Sequence, residues 1–186
     1  MSEGRPEVVL QQIENYRFEV RFAGGPAPLV TDEPPPLGTH AGPSPIELLL
    51  AAVGSCLSSS LHFAMNKFHE TPGPIHTRVS ATVGRNEKGR LRVLGITVTL
   101  RFAAEAAKIA HLERILGQFE EFCTVGASVA QGIPLTTRVE DGTGRLLKGP
   151  AEGGSPEGGP AEGGAAEGRA ADEAPNRAAP AHSGQA

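Results

Sequence analysis

The chain has no tryptophan, one tyrosine and seven phenylalanines, so its core must be built from aliphatic residues and alanine. It has no excess of basic charge. Residues 1–150 carry fifteen Lys and Arg against fifteen Asp and Glu, and the formal net charge of −4 comes from the last part of the chain. No basic stripe stands out, which argues against a nucleic-acid partner. The opening MSEGRPEVVLQQIENY lacks the apolar segment of a secretory signal. The longest apolar run, Leu48 to Leu57, is too short and too rich in small residues to span a bilayer. A soluble, cytoplasmic protein without membrane contact is expected. Cysteine is scarce as well: Cys56 and Cys123 are the only two, and they form no Cys-x-x-Cys. In a reducing compartment such a pair reads as reactive or buried thiols before it reads as a structural disulfide. A structural zinc site is improbable with so few thiols. His40, His62, His69, His76, His111 and His182 show no metal-ligand spacing such as His-x-x-x-His. Phosphate-binding glycine loops are missing too.

The last segment, residues 149–186, contains no Val, Ile, Leu, Met or Phe. It cannot bury enough apolar area to offset the entropy of ordering. Glu152, Glu157, Glu162 and Glu167 recur in it at a fixed spacing in a Gly/Ala/Pro background, as in a low-complexity, disordered tail. Residues 1–148 then form one domain, and its pattern is α+β. In residues 15–23, Phe18, Val20 and Phe22 alternate with Arg17, Glu19 and Arg21, the signature of a half-buried strand. A short extended piece at 28–31 precedes the irregular DEPPPLGTHAGPSP. Ser44 and Pro45 suit the cap and first position of a long helix running from Ile46 to about Phe68. That helix is apolar or small on nearly every face, as befits the buried centre of a fold, and Ala51, Ala52, Gly54, Ser55 and Ser58 would let another helix approach. Residues 75–84 and 91–102 alternate as a strand pair around Asn86-Glu87-Lys88-Gly89. The pattern predicts a second helix over 103–121, a short one over about 124–131, and a last strand over 133–140.

Cys56 lies deep inside the central helix, out of reach of the helix N-terminus. Among Leu and Ala it would be inert unless a cation arrived from another segment. Arg17 and Arg21, on the polar face of the first strand, are the candidates. At about 100° per residue, Leu49, Ala52, Ser60, Phe63 and Lys67 fall near the Cys56 face. Cys123 directly precedes the short helix, where exposed N–H groups would polarise it toward thiolate. Both cysteines could equally be core filler, since free Cys is among the most buried residue types.

GPSPIELLLAAVGSCLSSSL (Gly42 to Leu61) resembles the central-helix signature of the OsmC/Ohr family, and EFCTVGASVAQGIPL (Glu121 to Leu135) resembles its second signature. DEPPPLG and RNEKGRLRV are similar to a bacterial subgroup described as OsmC-like. The resemblance covers about residues 15–140. It implies an intertwined α+β homodimer, with long central helices packed against antiparallel sheets and two sites at the subunit interface. It further implies thiol-dependent reduction of organic hydroperoxides, with hydrogen peroxide as an alternative substrate. Cys56 would be peroxidatic and Cys123 resolving. A dithiol, often a lipoylated protein, would reduce the resulting disulfide, and no metal or organic cofactor would be needed. In the hydroperoxide-reducing members a Glu directly after the helix-opening Pro holds the activating Arg. Here Ile46 takes that place and Glu47 follows, turned by about 100°, and Arg17 and Arg21 both stay candidates. Leu49, Phe63 and Phe68 would line an apolar substrate pocket. The rival functions are an OsmC-fold module that binds a small apolar ligand without catalysis, and a redox sensor.

Overall fold

A computed structural model describes residues 4–151. The tail expected from residue 149 onward lies outside the described residues beyond its first three. The chain opens with β1 (Val8–Glu14), β2 (Arg17–Phe22) and β3 (Leu29–Thr31), an antiparallel sheet in the order β1-β2-β3. A long helix, α1 (Pro45–Lys67), leads to the hairpin β4 (Ile75–Arg85) and β5 (Leu91–Phe102). After α2 (Leu112–Gln118) and α3 (Thr124–Val129) the chain returns as β6 (Leu135–Glu140), parallel to β5. The last strand, β7 (Leu146–Lys148), closes a mixed four-stranded sheet in the order β4-β5-β6-β7. The fold class is α+β, as the hydrophobic pattern indicates.

The start of α1 is set locally. Ser44 Oγ accepts the Glu47 N–H, and Glu47 Oε2 accepts the Ser44 N–H at 2.7 Å, a reciprocal capping box with Pro45 in the first turn. Packing then holds the helix in place. Val53, Leu57, Leu61, Ala64 and Met65 make one buried stripe. They meet Ile96, Val98, Leu100 and Phe102, the alternate inward residues of β5, together with Ile115, Phe119 and Val139. Burying a side chain of this kind stabilises by about 1.5–3 kcal/mol, whereas a cap contributes about 1 kcal/mol. The stripe therefore decides stability and the cap decides register. By length and mean hydropathy alone α1 would also pass for a membrane span. Its buried stripe against β5 identifies it as a core helix.

Three expectations need correction. The segment predicted as one helix over 103–121 is broken into short turns at Ala106–Lys108 and Phe119–Phe122 around α2. Distant side chains take its backbone donors: Asp141 accepts the Ala106 N–H and Glu70 accepts the Ala110 N–H, while His111 turns left-handed at φ 55°. The central helix is not covered on every face within one chain, for Ala51, Ala52, Ser55 and Phe63 stay exposed. Its small residues also meet a strand as well as open space. A Cβ added at Gly54 would lie 2.6 Å from Val79 Cγ2, and Ser58 bonds Thr77 of β4. Finally, β1 and β7 lie in segments where no strand is predicted. β1 is exposed along its whole length, with Val8, Val9, Leu10 and Ile13 open.

Candidate active site

The fold brings the two cysteines to one core cluster. Cys56 sits half-buried in the middle of α1. Cys123 is the N-cap of α3 and is 1% exposed. The Cys123 sulfur lies within hydrogen-bonding reach of both Cys56 and the Ser60 hydroxyl. It also accepts the Gly126 N–H at 3.1 Å. A Cβ at Gly126 would approach that sulfur to 2.8 Å, so glycine is needed for this contact. Both cysteines are free thiols.

The expected polarisation of Cys123 is reversed. Burial pushes its thiol pKa up to about 11, and the neighbouring Cys56 adds to the rise. The Gly126 N–H and Ser60 favour the thiolate but do not outweigh these two effects. One helix-terminal N–H is a weaker influence than removal from water, which is why position along the chain alone misjudges this thiol.

A cavity of about 500 Å³ opens onto Cys56, lined by Ser59, Ser60, Phe63 and Phe122. The Phe63 and Phe122 rings meet edge to face at 5.1 Å, and the Lys67 ammonium lies 5.3 Å from the centre of the Phe122 ring. Of the three apolar lining residues expected, Phe63 takes part. Leu49 packs half-buried against the core, and Phe68 stacks on His111 with Arg114 over its ring, so neither lines the cavity. Ser59, Ser60 and Phe122 complete the lining. Ser60 falls on the Cys56 face by helical spacing, whereas nothing in the pattern marks Phe122 beyond its place beside Cys123.

Arg17, Arg21 and Glu47 are placed elsewhere. Arg17 bonds Glu14 and Thr39 at 2.6 Å each and lies 3.7 Å from Asp32. Arg21 pairs with Glu19 on the open face of β2. Glu47 is engaged in the helix cap, with His40 3.5 Å away, and the Ser44 N–H and hydroxyl hold its carboxyl below the usual range. None of the three lines the Cys56 cavity within the chain, and Arg17 leans on Asp32 rather than on Glu47. Among the described residues, no group of three or more His, Cys, Asp and Glu side chains converges to hold a metal ion.

Asp32 is 2% exposed and anchors the loop between β3 and α1. Burial opposes its ionisation. The N–H groups of Ala41 and Thr39, the Thr39 hydroxyl and Arg17 outweigh that and hold the carboxyl at about 2. Asp141 is held at about 2 as well, first by the Thr143 hydroxyl and then, against burial, by the N–H groups of Ala106, Arg145 and Thr143. Depressed carboxyls stabilise the fold above their unfolded value, and that contribution is lost as pH falls through the folded value. Stability is therefore expected to fall between about pH 4 and pH 2. A circular-dichroism acid titration should show this, and Asp32→Asn should be less stable at neutral pH with a shallower acid limb. An unchanged limb would mean that the Asp32 carboxylate contributes little.

A family model described as OsmC-like protein matches residues 38–138. No protein of curated function matches the chain by sequence. Several solved structures share its fold. An OsmC-like protein of unknown function from Vibrio cholerae is 19% identical, with TM-score 0.60 over 74% of this chain and 99% of that one. The organic hydroperoxide resistance protein OsmC from Legionella pneumophila is 13% identical, with TM-score 0.59 over 75% and 98%. OhrB of Bacillus subtilis, also an organic hydroperoxide resistance protein, is 13% identical, with TM-score 0.57 over 74% and 98%. With its α+β fold, its paired cysteines and this match, the chain belongs to the OsmC-like protein family.

Proposed function

We propose that the protein is a thiol-dependent peroxidase that reduces organic hydroperoxides through Cys56 and Cys123. The observation that carries this reading is the meeting of two thiols at the wall of an apolar cavity, one facing the cavity and the other sealed behind it. Cys56 is the sulfur a peroxide can reach. Its thiolate attacks the O–O bond, the alkoxide leaves and takes up a proton as alcohol, and Cys56 becomes a sulfenic acid. The Cys123 thiolate then attacks that sulfur, the S–O bond breaks, and hydroxide leaves as water. The disulfide so formed is the reversible rung of cysteine oxidation, and it protects Cys56 from further oxidation. A dithiol, such as the lipoyl group of a carrier protein, supplies two electrons to restore both thiols. Phe63 and Phe122 favour an alkyl or aryl hydroperoxide over hydrogen peroxide, because an apolar wall binds the organic part. The likeness to structures of organic hydroperoxide resistance proteins points the same way. A cytoplasmic setting, where a dithiol reductant is at hand, belongs to this reading.

The working form is a homodimer. Val8, Val9, Leu10 and Ile13 lie open on β1, and Leu10 is 56% exposed. The side of α1 carrying Ala51, Ala52 and Ser55 is open too. A second copy would cover these surfaces and bring a cation, Arg17 or Arg21, toward the Cys56 cavity. Size-exclusion chromatography with light scattering should give twice the mass of the chain. Leu10→Glu should shift the protein toward the single-chain mass and lower peroxide consumption with it. A wild-type protein that runs at the single-chain mass would remove the dimer from this account.

The direct test of the activity is a thiol titration before and after one equivalent of cumene hydroperoxide. Loss of both thiols per chain is the expected result. If both survive excess peroxide, the peroxidase reading fails, and the cavity is better regarded as a site for a small apolar ligand.

A further inference from the structure

The three consecutive serines of α1 have different fates. Ser58 bonds the Gly54 carbonyl and Thr77, Ser59 lies exposed at the lip of the Cys56 cavity, and Ser60 is buried at 4% exposure. A buried serine in a helix interior is an expensive choice. It forms helix less readily than alanine, and its hydroxyl must find a partner once water is excluded. Ser60 stands one helical turn beyond Cys56 on the same stripe, and both line the cavity. The Cys123 sulfur is within reach of its hydroxyl.

We infer that Ser60 is a positioning residue for disulfide formation: its hydroxyl holds the Cys123 sulfur against Cys56 and donates a hydrogen bond to the Cys123 thiolate as that thiolate attacks. This rests on the peroxidase reading above. The step that needs help is the second one. Cys123 is sealed from water, so its thiolate is hard to form. The structure offers only a few groups to stabilise it: the Gly126 N–H, fixed by the backbone, and Ser60. Cys56, the third neighbour, opposes the charge while it is itself a thiolate and ceases to do so once it carries the oxygen of the sulfenic acid. Proton and leaving group stay in balance: the Cys123 proton departs with the hydroxide from Cys56 as water, and Ser60 keeps its own proton.

Two measurements on the full chain test this. In the first, wild type, Ser60→Ala and Ser60→Thr receive one equivalent of cumene hydroperoxide and are quenched at intervals with dimedone, which traps sulfenic acid. Intact mass then counts adduct and disulfide. In Ser60→Ala the disulfide should form about tenfold more slowly, the scale of one hydrogen bond to a charged group, and the dimedone adduct should accumulate. Disulfide formation should fall further than the first-turnover loss of peroxide, which Ser60 touches only as part of the cavity lining. Ser60→Thr, which keeps a hydroxyl, should recover most of the disulfide rate. A purely structural role would slow both steps alike and would not be rescued in this way. Disulfide formation at the wild-type rate in Ser60→Ala overturns the inference and leaves the peroxidase reading standing. A wild type that forms neither sulfenic acid nor disulfide overturns both. In the second measurement the S–H stretching band of Cys123 is recorded in a Cys56→Ala background. Adding Ser60→Ala should move that band, and an unmoved band overturns the contact itself, whatever the peroxide result.

Discussion

Cys56→Ser should lose no thiol to cumene hydroperoxide and consume no peroxide in a steady-state assay with a dithiol, a fall of at least about a thousandfold. The argument is geometric first. Cys56 is the only thiol on the cavity wall, since Cys123 is almost wholly enclosed. It is also chemical: a thiol held up to about 11 is almost entirely protonated at neutral pH and attacks peroxide poorly. Cys123 therefore cannot stand in for Cys56. Cys123→Ser should behave differently. It should still react with one equivalent of peroxide, since the attacking sulfur is untouched, but stop at the sulfenic acid. With excess peroxide it should move on to sulfinic and sulfonic acid, read as successive additions of oxygen by intact mass. If Cys56→Ser keeps wild-type turnover, the roles of the two cysteines are wrong. If Cys123→Ser turns over freely with a dithiol, resolution does not need the second cysteine.

Phe119→Ala should cost about 3–5 kcal/mol of stability. Phe119 is fully buried in the cluster that joins α1 to β5, and the Lys148 ammonium sits 5.0 Å from its ring centre while pairing with Glu120. Truncation would leave a cavity at the centre of the packing and strand the apolar stem of Lys148. For a folded unit of this size the melting temperature should fall by roughly 10 °C. There is a functional consequence as well. Phe119 opens the short turn that leads through Phe122 to Cys123. Loosening it should slow disulfide formation more than the initial loss of peroxide. Phe119→Leu, which keeps much of the volume, should recover most of the stability. A Phe119→Ala protein that melts near wild type would show that the turn before Cys123 is not held by this ring.

Much of the scaffold was legible because its signals are local. Ser44, Pro45 and Glu47 mark the start of α1 through side chains that bond their own neighbours. The alternation along residues 91–102 reappears as the buried faces of Ile96, Val98, Leu100 and Phe102. What was missed depends on partners far away in sequence. Residues 103–121 are Ala- and Leu-rich and favour a helix, yet Glu70 and Asp141 claim their backbone donors. β1 shows no clean period because none of its faces is buried within the chain. At the site, the family resemblance marked both cysteines, and helical spacing placed Phe63 and Ser60 near Cys56. The contribution of Phe122 and the rise of the Cys123 thiol come from packing that only the fold creates. Glu47 stands one place past the position at which hydroperoxide-reducing relatives carry the arginine-holding Glu, and its local bonds serve the helix cap.

The enclosure of Cys123 also bears on which reductants can serve the proposed cycle. In a Cys56–Cys123 disulfide the approachable sulfur is Cys56, so an incoming thiolate would expel Cys123 as leaving group. A sulfur that holds its proton up to about 11 leaves reluctantly. It also stays beside Cys56, within the same small volume, ready to attack again and eject the newcomer. Against a monothiol such as glutathione the return reaction wins. A dithiol escapes this trap, because its second sulfur closes a ring and carries both electrons' worth of exchange to completion. In the proposed cycle, the sealing of Cys123 would work as a filter on electron donors and would select for reductants that bring two thiols on one molecule.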